Sequence, residues 1–260
     1  MSIPTLAGAG WIVAAVVMAA LWAWQVRSGN AAIVDAGWAA LTAGLSIADA
    51  AAGTGAPWRR AAVATMFAIW GVRLTLLLLV DRVFGKPEDG RYAALRRPRG
   101  ARANAWFFWF FEVQAVAAVM FSLPALTATA NGAPETSALE AAAIVLWGIG
   151  FAGEATADRQ LLRFKQDPGS KGRTCRAGLW RYSRHPNYFF EWVIWVAYAL
   201  FATASPFGWV AWSCPALMLY LLFKVTGIPA TEAQALRSRG DEYRRYQQTT
   251  SAFVPWFPSA

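Results

Sequence analysis

Charge is what this 260-residue sequence has least of: Asp, Glu, Lys and Arg make up 15% of it, against 57% hydrophobic residues, and mean hydropathy is +0.33. A soluble domain carries about 25% charged residues, because its surface must be hydrated. The shortfall excludes a disordered chain and most water-soluble enzymes. Cysteine is scarce too. Cys175 lies in a basic stretch and Cys214 in an apolar one, so the two are expected at different depths, which excludes a disulfide scaffold; no disulfide and no metal site are expected. No Lys or Arg precedes the first apolar run, so the positive n-region of a signal peptide is missing. No stretch has the ten-residue alternation of a membrane barrel.

What is present is a series of apolar runs. Lipid requires every backbone group to be satisfied internally, so runs of about 20 residues read as helices. Seven are expected, over 5–25, 31–52, 60–80, 105–128, 138–156, 187–204 and 208–226, the Ala-rich second and fifth being the weakest. The reading is a single all-α, multi-pass membrane domain over 1–260, with cytosolic capping loops at about 81–104, 157–186 and 227–260. Its N-terminus is expected outside and its C-terminus in the cytosol. On that topology 21 of the 24 Lys and Arg residues fall on the inside, only Arg59 and Arg60 outside, and Arg73 within a span, as the positive-inside rule requires. The net charge of +9 then reflects loops facing anionic lipid rather than nucleic acid. Richness in Ala and Arg suits a bacterial inner membrane. The expected partners are the bilayer and a small lipophilic substrate, with no protein partner required.

Polar groups inside a span are costly and call for a reason. Asp49, Glu140 and Glu154 lie near span ends, within expected reach of the interface. Asp35, Arg73, Glu112 and Gln114 lie deeper or among aromatic residues. They read either as interhelical pairs, Asp35 with Arg73 for example, or as the polar part of a substrate cavity. Gly148 to Gly153 matches G-x-G-x-x-G, but that fingerprint works only as a strand-to-helix turn. Within a span, small residues that let helices approach explain it better.

The most informative block runs from Asp158 to Glu191. It contains Lys165, Arg173, Gly178-Leu179-Trp180-Arg181-Tyr182 and Arg184-His185-Pro186-Asn187-Tyr188. Pro186 suits a helix start. Arg and Lys supply phosphate-binding charge. Asn187 and Glu191, four residues apart, share a helix face and can read an amide or a ribose. His185 is the one histidine of the chain. Two segments on the same expected side join it: Glu88-Asp89-Gly90-Arg91-Tyr92, and Glu232 followed by Gly240 to Tyr246. A pocket for a large anionic cofactor accounts for both the arginines and the acids beside them.

At these residues the chain resembles the steroid 5α-reductase family and its bacterial relatives. The resemblance is strongest from Asp158 to the C-terminus, through Gly-Leu-x-x-Tyr then Asn then Glu at 178–191, Tyr243-x-x-Tyr246 and Phe253-Val254-Pro255-Trp256-Phe257. It is weaker at Asp35-Ala36-Gly37-Trp38, Trp70 to Leu74 and Glu88 to Tyr92. It implies a seven-helix reductase using NADPH. By motif position it assigns Asp158, Lys165, Arg173, Tyr182, His185, Asn187, Tyr188, Glu191 and Tyr246 to the cofactor, with Arg91 and Tyr92 in the same pocket. The implied reaction reduces a carbon–carbon double bond conjugated to a ketone, as in a 3-oxo-4-ene steroid, with an acid beside the developing enolate.

The chain departs from the mammalian enzymes of this family, which place a Glu and a Tyr at the ketone. The Tyr position reads Leu78-Leu79-Val80 and the Glu position falls near Asp35. Asp35, as a protonated donor, is the expected acid, with Glu112 in reserve; Trp38, Arg73 and Gln114 are expected substrate contacts. The Arg-His-Pro-Asn-Tyr signature also resembles isoprenylcysteine carboxyl methyltransferases and phospholipid methyltransferases. The alternative is therefore an S-adenosylmethionine-dependent methyltransferase acting on a lipid or prenyl-cysteine. A transporter is disfavoured because the polar residues gather at one face.

Overall fold

The computed structural model describes residues 3–225 and 227–259 and is 80% helix, with no strand among them. Helix α1 spans Ile3–Ser28, α2 Ile33–Ala52, α3 Pro57–Leu78, α4 Gly90–Arg96 and α5 Ala103–Ala128. Helix α6 spans Ala138–Gln166, α7 Pro186–Ala202, α8 Ser213–Tyr220, α9 Ile228–Arg239 and α10 Asp241–Thr249. They group into two compact units, Met1–Ser137 with Ala202–Ala211, and Ala138–Phe201 with Trp212–Ala260; no composition change in the sequence marks that division.

Five stretches of the described residues are long and apolar enough to cross a bilayer: Pro4–Ser28, Pro57–Val83, Gly90–Ala128, Ala138–Gln166 and Gly208–Arg239. The chain is an integral, multi-pass membrane protein. The other two expected runs are helical but fall short of that measure. Helix α2 carries Asp35 and Asp49 and packs against α1, α3 and α5; a helix walled by other helices needs less apolar surface than one walled by lipid. Helix α7 has 17 residues, about 26 Å at 1.5 Å per residue.

Hydropathy marks where lipid ends, not where a helix ends. The expected loop from 157 is helical as far as Gln166, so Asp158 and Lys165 stand on the last turns of α6. Arg163 and Lys165 sit in its last turn, where free carbonyls favour cations. The expected loop 81–104 is likewise built from a π turn, Leu79–Val83, from α4, and from a 3-10 turn, Arg97–Arg102. Asp49, Glu140 and Glu154, near the span ends, are 8%, 0% and 3% exposed, and Glu140 and Glu154 have partners inside the protein, as a structural role requires.

Small residues set two close helix contacts. A Cβ at Gly150 would lie 2.9 Å from Ile194 Cγ1, and one at Gly153 2.3 Å from the Phe190 ring. The glycine fingerprint therefore lets α6 meet α7, as its place in a span suggests. A Cβ at Gly71 would lie 2.2 Å from the Cβ of Ala43, which has no rotamer to retreat into. Gly71→Val should accordingly prise α2 from α3 and cost about 1–3 kcal/mol of overpacking, read as a lowered Tm in detergent. An unchanged Tm would show that the contact can relax.

Candidate functional site

The first polar cluster closes around Asp35, in the first turn of α2. The π turn that ends α3 brings up Arg82, whose Nη1 donates to Asp35 Oδ2 at 2.7 Å. Helix α4 brings Arg91, whose Nη2 donates to the same oxygen at 3.1 Å, and Tyr92, whose hydroxyl donates to Asp35 Oδ1. Asp89 caps α4 by accepting from Arg91 N at 2.9 Å and holds the Arg91 side chain through Oδ1 at 3.1 Å and Oδ2 at 3.2 Å. Burial alone would raise the pKa of Asp89, but the charge and hydrogen bonds of Arg91, with Arg82 beyond, hold it below the ordinary carboxylate value. Glu88 pairs with Arg96 at 2.8 Å and accepts from Ala31 N at 3.0 Å, tying this segment to the turn before α2. Arg96 also donates to Gln25 of α1 at 2.9 Å.

Two expectations change here. Asp35 is held by two guanidinium groups and a phenol, all donating, so it is an ionised acceptor and not a protonated donor. Its ion partners are Arg82 and Arg91, brought by the π turn and α4, rather than Arg73 in mid-helix. Arg91 and Tyr92, expected at the cofactor, are joined to Asp35. Tyr92 is 5% exposed and stands against Phe107 and Phe110 of α5.

The remaining expected substrate residues are not drawn into this cluster by any bond to Asp35. Trp38 packs edge-on to Trp70 and Phe121, at 6.0 and 5.3 Å between centroids, as core. Arg73 stands half-buried on α3, and Glu112 and Gln114 half-buried on α5 beside the buried Phe111 and Ala115. Two residues apart, Glu112 and Gln114 point to different sides of the helix. A cavity of about 650 Å³ lies along α1, α2 and α3. Its walls are apolar apart from Asp49 and Thr75, and they include Ile33, Ala36 and Gly37, which flank Asp35 in sequence.

The second unit holds the other polar cluster. Asn187 Nδ2 donates to Asp158 Oδ1 at 3.3 Å, joining the start of α7 to α6. Glu191, one turn on, accepts from Trp195 Nε1 at 2.8 Å. Lys165 and Arg173 are exposed cations at the end of α6 and in the loop beyond. Tyr182 is half-buried, edge-on to Phe257. Tyr246, expected at the cofactor, is 2% exposed and donates its hydroxyl to the carbonyls of Trp180 and Ser183. It braces the Gly178–Arg181 turn and the residues that follow it.

His185 stacks on Tyr188 at 5.2 Å between ring centroids and 10° between planes, and its Nε2 lies 3.2 Å from Glu232 Oε1. Glu232 also accepts from Arg184 Nε at 2.7 Å, Gln247 Nε2 at 2.7 Å and Tyr243 at 3.4 Å. The sequence singled out Glu232 only as a member of a charged segment; its four donors converge only through folding. Burial lowers the pKa of His185; Glu232 opposes that through its hydrogen bond and charge, Arg184 adds to it, and the net shift is down from 6.5.

A base whose folded pKa is depressed contributes full stability above its unfolded pKa and loses it as the pH falls below 6.5, where only the unfolded chain takes up the proton. Thermal stability should therefore fall from pH 7 toward pH 5, by at most about 1.4 kcal/mol per pH unit from this one group. His185→Gln should flatten that part of the Tm profile, and an equal slope in both proteins would assign it elsewhere.

No solved structure matches the chain. The uncharacterized protein C594.04c of Schizosaccharomyces pombe is 26% identical over 260 residues, covering 90% of this chain and 75% of the relative. Residues 21–250 match the family described as "Protein of unknown function (DUF1295)", and the chain belongs to that family.

Proposed function

We propose that this protein is a membrane-embedded, NADPH-dependent reductase that acts on the C=C bond conjugated to a ketone in a 3-oxo-4-ene steroid or a similar flat lipid. The observation that carries the reading is the Asp35–Tyr92 pair: a buried phenol hydrogen-bonded to a carboxylate that two arginines keep charged. It supplies the hydroxyl that the chain lacks at 78–80, from a different helix. The neighbouring cavity of about 650 Å³ is within the range that takes a small apolar ligand, about 300–1,000 Å³. The family includes steroid 5α-reductase-like proteins, which supports the same reading.

In this mechanism Tyr92 turns its one O–H from Asp35 to the ketone oxygen and donates to it as negative charge develops there. Asp35 holds the phenol in the resting state, and Arg82 and Arg91 hold Asp35 in place. The apolar walls of α1 to α3 limit water at the enolate, whose α carbon takes its final proton from solvent. The residues of the second unit suit an anionic dinucleotide by their donor set. Lys165 and Arg173 offer exposed positive charge, and Asn187 Oδ1 receives no hydrogen bond from any described residue, so it is open to an amide N–H. Asp158, Glu191 and His185 add hydrogen-bond acceptors beside these groups, and Tyr188 adds an aromatic ring. When bound, NADPH supplies hydride to the β carbon.

The topology proposed with it is seven spans, N-terminus outside and C-terminus cytosolic, in a bacterial inner membrane. The 20-residue α2 and the 17-residue α7 complete the count of seven. A reporter fused to the C-terminus should be active only on the cytosolic side. The function is tested with detergent-purified protein offered NADPH or S-adenosylmethionine, followed by NADPH oxidation with a 3-oxo-4-ene steroid. Binding of NADPH with steroid-dependent oxidation is expected. Binding of S-adenosylmethionine alone would make the protein a methyltransferase.

A further inference from the structure

His185 is the only histidine of the chain, and its ring is fixed on several sides. Its face lies on Tyr188, whose hydroxyl bonds Thr231 at 3.2 Å, next to Glu232 in sequence. Its backbone N–H donates to Ser183 Oγ at 3.1 Å, and that hydroxyl donates to the carbonyl of Phe253 at 2.8 Å. Its Nε2 meets the carboxylate of Glu232. That carboxylate is itself held by Arg184, Gln247 and Tyr243, so it cannot swing away. Arg184 is anchored in turn to the carbonyls of Gln247 and Thr250.

A neutral imidazole has one N–H, and a carboxylate only accepts hydrogen bonds. The N–H therefore sits on Nε2, and Nδ1 carries the lone pair. No described residue bonds Nδ1. The charged and titratable groups at the ring are Glu232 from α9 and Tyr188 from α7, and those on its carboxylate partner are Arg184 from the ring's own loop and Tyr243 from α10.

We infer that Glu232 is a positioning residue that locks His185 as the Nε2–H tautomer and presents Nδ1 as a fixed acceptor at the start of α7 for a hydroxyl or amide N–H of the bound cofactor. The choice of ligand rests on the NADPH reading; the lock does not. Glu232 touches no ligand itself and acts through His185. The same carboxylate holds the His185 ring and the Arg184 guanidinium, so one acid sets both a hydrogen-bond acceptor and a positive charge at the head of α7.

A single histidine makes the test direct. Protein grown with ¹⁵N-histidine carries one labelled imidazole, and the two nitrogens report the tautomer by NMR in detergent or nanodiscs without any cofactor. Wild type and Glu232→Gln, which keeps an acceptor, should both show the Nε2–H form. Glu232→Ala should show a mixture of tautomers. NADPH should shift the Nδ1 signal in wild type, and should bind Glu232→Ala about tenfold more weakly, as for one lost hydrogen bond, with Glu232→Gln close to wild type. A wild-type Nδ1–H form, or a pure Nε2–H form in folded Glu232→Ala, overturns the lock. An Nδ1 signal that ignores bound NADPH overturns the acceptor role. If wild type binds no NADPH, the cofactor reading falls, while the spectra without cofactor still decide the lock.

Discussion

Tyr92→Phe should lower steroid turnover by roughly a hundredfold or more while leaving the protein folded and its NADPH affinity unchanged. The magnitude follows from other enzymes in which a single oxyanion donor was removed, about 10²–10³ in kcat. Phenylalanine keeps the ring against Phe107 and Phe110, so no cavity opens. The variant loses the hydrogen bond to Asp35 Oδ1, while Arg82 and Arg91 still hold Oδ2. The stability cost should therefore be about 1–3 kcal/mol. Asp35→Asn tests the second half of the pair. It keeps the shape and an acceptor oxygen but loses the charge that orients Tyr92, so turnover should fall less than in Tyr92→Phe. A structural role for the pair would instead lower Tm in both variants with turnover per folded molecule intact. Turnover and Tm measured on the same preparations separate the two. Normal turnover in Tyr92→Phe would remove the phenol from the chemistry and leave Glu112 as the remaining acid to examine.

Much of the helical frame was legible because lipid imposes a simple rule: apolar stretches of sufficient length become helices. The runs at 5–25, 60–80, 105–128 and 138–156 all fall within helices. The same rule misjudges ends, since the charged residues that stop a span do not stop a helix, and α6 continues ten residues beyond the apolar run, carrying Asp158 and Lys165. The glycines at 150 and 153 were readable as helix contacts because their place in a span excluded the strand-to-helix turn. Partner choice was not readable. Asp35 and Arg73 share the depth of a span in the sequence, whereas Arg82 and Arg91 reach Asp35 only because a wide π turn closes α3 and a short α4 folds back. The Tyr-x-x-Tyr pattern near the C-terminus was visible, but not that Tyr246 points inward to two carbonyls. Burial direction on a polar helix such as α10 depends on what packs against it, and hydropathy does not encode that.

Arg91→Ala should be the most destabilising single change in the first polar cluster. Arg91 bonds Asp35 and Asp89 together, and Arg82 reaches Asp35 at 2.7 Å but Asp89 only at 4.0 Å. Its loss leaves two carboxylates sharing one guanidinium, with Asp89 the worse served. Breaking a fully buried pair costs about 3–5 kcal/mol, most of it from the charge left behind. The side chains here are 17–23% exposed, so water recovers part of that, and a loss of about 2–4 kcal/mol is expected. Arg91→Lys, which keeps the charge but not the fork, should recover only part of it. A double-mutant cycle with Asp35→Ala isolates the pair: removing both partners should cost less than the two single losses added, with a coupling of about 1–3 kcal/mol. If the losses simply add, the contact is a surface-like pair, and the orientation of Asp35 beneath Tyr92 must come from Arg82 alone. In that case Arg82→Ala, and not Arg91→Ala, should reproduce the turnover loss of Asp35→Asn.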